Sequence, residues 1–386
     1  MLLFGVVFYG GKYFPLKLVD FSVYWSAGSV AVEGGNPYNP DEAFRKLELT
    51  GWTTQDTKLL LYWYPPWTLP LSMPLGLLSF KTSQILWYLF SVGIILFCAS
   101  VLWQLYNGHK KGQWLAWMTG LLFSPTIYVL YFGQISPLIL LGITGFLFFI
   151  TRKSEKTDLF AGVCTGLISI KPALLFLFWP ALLFWCISQH RWKVLLGLFF
   201  TLTGGALVSW IFNPHIFQHY WNFLNTARVV DWGVPTVGSW LRRVWGPDKI
   251  LLQFLPPLVG FGWFWFHWVR NRENWRWEEQ ISWLSLVSLV TAAFAWTHDQ
   301  VVLLPAIIEA TSRVNLHFRT GKALGFISAW VIFNLFLFIS HFARDDSQFV
   351  WQAPAILIFY LSARYLFGLS PRSGSSSPSR SELQVN

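Results

Sequence analysis

Charge is scarce in this chain: 12% of its 386 residues are Asp, Glu, Lys or Arg, against 54% hydrophobic. A soluble domain of this size needs far more charge to cover its surface, so a water-soluble globular protein is excluded. Cysteine is nearly absent, and the three present, Cys98, Cys164 and Cys186, all fall inside apolar runs. No spacing among them suggests a disulfide framework or a thiolate metal site, and they read as small core residues. No glycine-rich phosphate loop is found, because "GGKY" at residues 10–13 lacks the required spacing. Apolar/polar alternation is missing too, which argues against a membrane β-barrel.

What is present is a series of continuous apolar runs of about 15–22 residues separated by short charged loops. In lipid every backbone polar group must be satisfied internally, so such runs form helices. The sequence therefore predicts an all-α polytopic membrane protein with about twelve transmembrane helices, at about 1–17, 83–106, 114–132, 135–151, 158–170, 173–188, 193–212, 250–269, 280–297, 300–312, 322–341 and 349–367. The first run is short and broken by Gly10, Gly11 and Lys12, so a cleavable signal peptide is not expected. One domain is expected over 1–369, with a Ser/Pro/Arg-rich tail at 370–386 read as disordered and cytoplasmic.

The net charge of +10 is spread in small Lys/Arg clusters between the apolar runs. That distribution fits cytoplasmic loops under the positive-inside rule better than a nucleic-acid surface. With the N-terminus inside, two elaborated loops at about 18–82 and 213–249 fall outside. The proline-rich stretch "YPPWTLPLSMPLGLLSF" (Tyr64 to Phe80) then reads as an interfacial or re-entrant piece, since proline removes a backbone donor and bends helices. The tips "YFGQIS", "IKP" and "WTHDQ" lie on the same outer face. Polar groups converging beside apolar walls are the default pocket hypothesis.

Asp20 stands where the first helix would leave the bilayer, at the head of an aromatic segment. It is either the N-cap of that segment or a general base, made more basic by partial desolvation. Lys171 lies in a strongly apolar stretch, where a central lysine costs roughly 2.5–3.5 kcal/mol on insertion scales. It is either a snorkelling lysine or a cation for a lipid phosphate. His298 is a candidate donor to a phosphate or hydroxyl. It is not expected to pair with its neighbour Asp299, since adjacent helical residues do not share a face. Arg242 and Arg243, flanked by Trp240 and Trp245, are either a bidentate phosphate grip or a headgroup-facing basic pair. Tyr24, Tyr38, Gln134 and Asp299 complete the candidate substrate-binding set. His215 and His219 have the spacing of a metal pair, but no third ligand is suggested, and no metal or cofactor is expected.

The ordered set "DFSVYWSAGSVAVEGGNPYNP", "YPPW", "GQISPLILL", "GLISIKPALL" and "HDQVVLLPA" resembles glycosyltransferase family 87 over roughly 18–310. The resemblance implies a C-type membrane fold and a multi-pass enzyme of the cell membrane with its active site on the extracytoplasmic face. It implies transfer of a sugar, mannose or another hexose or pentose, from a polyprenyl-phosphate-linked donor to a hydroxyl of a glycolipid, glycan or protein acceptor. On this resemblance Asp20 matches the family's catalytic acid position and His298 a histidine involved in donor handling. The alternative is a transporter or flippase of lipid-linked sugars, which should show internal repeats and polar residues at mid-membrane depth. No clear repeat is found.

Overall fold

The computed structural model describes residues 18–50, 61–152, 154–227, 233–341 and 343–368. The expected first helix at about 1–17 and the tail at 370–386 lie outside the described residues. Within them the chain is helical, with no strand.

Three described helices are long and apolar enough to cross a membrane: Phe80–Leu105, Trp192–Phe212 and Gly321–His341. A fourth crossing results if Lys110–Leu122 and Ser124–Phe132, bent by 57°, count as one span. Twelve full-length spans are therefore not seen. The reason lies in the breakers within the apolar runs. The expected 114–132 run bends at Phe123, which is extended with ψ 121°, and Pro125 stands in the first turn of the helix that follows, where its missing N–H is tolerated, while in an unbroken helix it would interrupt the bonding. The run expected at 173–188 becomes helical only at Phe178, after irregular turns over residues 169–177 that include Lys171. The runs at about 280–297 and 300–312 become Trp277–Thr291 and Leu304–Leu316, separated by a short 3-10 helix, His298–Leu303. The second of these breaks carries Lys171 and the third His298 and Asp299.

The proline-rich stretch forms the short helix Leu69–Gly76, which packs against Val19–Val32. The contact is backbone to backbone: a Cβ on Gly28 would overlap the Ser72 carbonyl, and one on Gly76 would overlap the backbone at Ser29. Small residues let helices in a low-dielectric setting approach this closely. The same device joins Glu155–Ile168 to Trp192–Phe212, where Gly162 faces the Val194 carbonyl and Gly197 the Leu159 carbonyl. The start of Phe80–Leu105 is capped by a side chain, Ser79 Oγ accepting from Thr82 N at 3.3 Å. Large buried side chains, among them Phe21, Tyr24, Trp103, Phe146 and Phe178, fill the space between helices.

Candidate active site

Four breaks in the helical pattern meet at one place. Asp20 lies in the first turn of Val19–Val32, Gln134 between Ser124–Phe132 and Ser136–Ile150, Lys171 after Glu155–Ile168, and Asp299 in the His298–Leu303 turn. Gly133 makes the approach possible. It ends its helix in the left-handed region, φ 70°, and a Cβ there would lie 2.8 Å from Phe21 Cβ. The indole of Trp87 fixes the turn by donating to the Gly133 carbonyl at 2.8 Å.

Gln134 is the bridge. Its amide nitrogen donates to Asp20 Oδ2 at 2.7 Å. Its oxygen accepts from Lys171 Nζ at 3.1 Å and from the Tyr24 hydroxyl at 3.0 Å. A hydroxyl has one proton, so with that proton on Gln134 the Tyr24 oxygen accepts from Tyr64 (2.9 Å) and from the Ile135 amide (3.3 Å). Lys171 Nζ also donates to Asp299 Oδ1 at 2.6 Å and stands 3.5 Å from Ser136 Oγ. The Asp299 carboxylate is filled: Ser136 donates to Oδ1 at 2.8 Å and the Trp296 amide to Oδ2 at 3.1 Å. His298 is buried and stacked on Trp296, ring centroids 6.2 Å apart. Its Nε2 is 3.9 Å from Asp299 Oδ1, beyond hydrogen-bond reach, and has no hydrogen-bond partner.

The capping alternative for Asp20 is not realised. The cap position of its helix is Leu18, with no side-chain cap bond, and the Asp20 carboxylate faces Gln134. Burial pushes the Asp20 carboxyl above the ordinary range, opposed by His298, by the bond from Gln134 and by Lys171. Burial would raise Asp299 too, but the Lys171 ammonium outweighs it and holds that carboxyl at about 2. Burial lowers His298 below the ordinary imidazole range, opposed by the charge of Asp299. The set therefore holds one basic carboxylate, one neutralised ion pair and one unengaged imidazole nitrogen.

Not every candidate residue joins this set. Tyr38 is buried one step behind it, donating to the Tyr64 carbonyl at 3.0 Å. Arg242 does not reach the cluster: its guanidinium donates to the Pro247 carbonyl and to Gln253 Oε1 at 3.3 Å. It binds the carbonyl just beyond its own helix, Val237–Trp245, where a cation is favourable. Arg243 is exposed and meets the Ser347 carbonyl at 3.4 Å. Of the two alternatives for this pair, a phosphate grip or a headgroup-facing basic pair, neither places it in the cluster. His215 and His219 stand with ring centroids 6.2 Å apart, and no group of three potential metal ligands occurs among the described residues. Two members were missed from sequence, Tyr64 and Ser136. Both lie inside the stretches "YPPW" and "GQISPLILL", where a polar group stands beside a proline at a helix start.

Residues 62–292 match the model of glycosyltransferase family 87. No curated protein and no solved structure matches the chain. Gln134, Ser136 and Lys171 fall within the matched stretch; Asp20, His298 and Asp299 lie beyond its ends, Asp20 and Asp299 being tied to it by the hydrogen bonds described above.

Proposed function

Because the chain belongs to glycosyltransferase family 87, we propose that this membrane glycosyltransferase moves a sugar from a polyprenyl-phosphate donor to an acceptor hydroxyl at the Asp20 cluster. The sugar is mannose or another hexose or pentose. The acceptor is a glycolipid, glycan or protein, and the reaction takes place at the extracytoplasmic face of a C-type, multi-pass fold. Asp20 accepts the proton of the acceptor hydroxyl. The acceptor oxygen bonds to the anomeric carbon as the bond from that carbon to the phosphate oxygen breaks on the opposite side, and configuration inverts. Polyprenyl phosphate leaves with the electron pair.

The observation that carries this reading is the link from Asp20 Oδ2 through Gln134 to Lys171, 2.7 and 3.1 Å, with the open Nε2 of His298 beside it. Gln134 is engaged at both ends, so its part is to orient the base and the lysine. Asp299 likewise orients Lys171. The leaving phosphate is received by His298 Nε2 and by the Lys171 proton that now makes only the 3.5 Å approach to Ser136. Donors fixed in place before charge develops stabilise the transition state without reorganising. The prenyl chain stays in lipid while its phosphate reaches the cluster.

The test is transfer in proteoliposomes supplied with either a polyprenyl-phosphate sugar or the matching nucleotide sugar. Product formed from the lipid-linked donor alone supports the reading. Product from the nucleotide sugar without a lipid intermediate, or movement of the lipid-linked sugar across the bilayer with no transfer, overturns it.

A further inference from the structure

The helix Ile216–Thr226 follows the membrane-length helix Trp192–Phe212 after only three residues. At about 100° per residue its side chains divide into three sectors. Ile216, Tyr220 and Phe223 face the protein: Ile216 and Phe223 are buried, and the Tyr220 ring lies 5.1 Å from that of Tyr38. Gln218, Asn222 and Asn225 form a polar, exposed sector. Between these lies a third sector, Phe217, Trp221 and Leu224, apolar and yet 43%, 66% and 40% exposed. A helix resting on a protein in water needs two sectors. An exposed apolar third sector is accounted for by a second apolar medium.

The neighbouring structure says which medium. The Trp192–Phe212 helix, long and apolar enough to cross a membrane, ends in Trp210, Ile211 and Phe212, all exposed, so the apolar sector follows directly on the exposed apolar end of a candidate span. Asn213 fixes the corner, its amide donating to the Gly35 carbonyl at 2.8 Å and its oxygen accepting from His215 N at 2.9 Å. We propose that Ile216–Thr226 lies flat in the headgroup zone of the bilayer, with Phe217, Trp221 and Leu224 dipped toward the acyl chains and Gln218, Asn222 and Asn225 in water. Tryptophan at such a depth is favoured by its amphipathic ring.

The helix also sets a depth for the cluster. Ring contacts run from Tyr220 to Tyr38 (5.1 Å), Tyr62 (5.9 Å), Tyr64 (5.2 Å) and Tyr24 (5.5 Å), whose hydroxyl bonds Gln134. A rigid aromatic row thus ties the Asp20 cluster to the headgroup level. The placement of the helix stands whether or not the chain transfers sugar, and its test needs no activity.

The test uses the full chain with Cys98, Cys164 and Cys186 replaced by alanine, in vesicles of phosphatidylcholine and phosphatidylglycerol. Single cysteines at positions 217, 221, 224, 218, 222 and 225 carry a nitroxide label, and its collisions with oxygen and with a water-soluble nickel chelate are measured. The expected result is a several-fold preference for oxygen at 217, 221 and 224, at depths of about 5–10 Å, and the reverse preference at 218, 222 and 225. Equal access of the nickel chelate to all six positions would overturn the proposal, since the helix would then stand in water. Shielding of 217, 221 and 224 from both reagents would overturn it in favour of a second protein surface.

Discussion

Two carboxylates are buried along one helical stretch, one at its start and one near its middle, and they are held in opposite ways. Asp299 precedes Leu304–Leu316, while Glu309 lies within it, ten residues on and about 15 Å away at helical rise. Glu309 Oε2 accepts from Ser282 Oγ at 2.7 Å and from the Tyr360 hydroxyl at 2.9 Å, and Arg364 reaches Tyr360 at 3.4 Å. Those donors come from Trp277–Thr291 and Gln352–Phe367, so Glu309 ties three helices together. Around Asp299 the partners come from helix breaks, and the network runs on to a second carboxylate, Asp20, and past an imidazole nitrogen with no partner. A buried acid bonded by its helical neighbours holds a bundle together. A buried acid in a network with an unengaged polar atom is equipped to meet a substrate.

Substitution can break this contrast. The largest effect is expected from Asp20→Asn, which removes the base while keeping a hydrogen-bond acceptor for Gln134. Transfer should fall about 10²–10⁴-fold with unchanged thermal unfolding in detergent. The same chemical change at Glu309→Gln should leave transfer per folded molecule within a few-fold. Equal losses in the two variants would erase the distinction.

Next comes Lys171→Met. It leaves Asp299 buried without its cation, a change that costs about 3–5 kcal/mol when a buried pair is broken and is read from thermal unfolding. It also removes a charge that lowers the Asp20 carboxyl and leaves one that raises it. The acidic limb of the pH–rate profile, where the base is lost to protonation, should therefore move to higher pH. An unmoved or lowered limb contradicts the assignment of that limb to Asp20.

Gly133→Ala forces an L side chain into the left-handed region and against Phe21, at about 1–2 kcal/mol for the backbone alone. The displaced Gln134 should cost transfer as well as stability, whereas Glu309→Ala, about 1–3 kcal/mol through two stranded hydroxyls, should cost stability alone. The smallest effect is expected of Tyr38→Phe, which loses one bond to the Tyr64 carbonyl, about 0.5–1.5 kcal/mol, with transfer changed only a few-fold.

How far the sequence reveals this arrangement differs by element. Continuous apolar runs state the helical membrane character directly, because hydropathy is a local property. The number of full crossings is not legible, since the bend at Phe123 and the turns at residues 169–177 cut runs that composition alone joins. Asp20, Gln134, Lys171, His298 and Asp299 stand out because polar residues at the ends of apolar runs are unusual. Their roles depend on which partner each meets, and that is a tertiary matter. Gln134, read as a sugar ligand, is committed to Asp20 and Lys171. Arg242, read as a phosphate ligand, is committed to Pro247. Tyr64 is not legible in the sequence, because its hydroxyl becomes significant only through Tyr24, forty residues earlier.

The most direct measurement is a structure of the protein in lipid with polyprenyl phosphate bound. The phosphate should lie within hydrogen-bond reach of His298 Nε2 and Lys171 Nζ, with the carboxylate of residue 20 facing it across a space the size of one sugar ring. A phosphate seated instead at the Arg242–Arg243 loop, or on the far side of the bilayer from residue 20, would contradict the account.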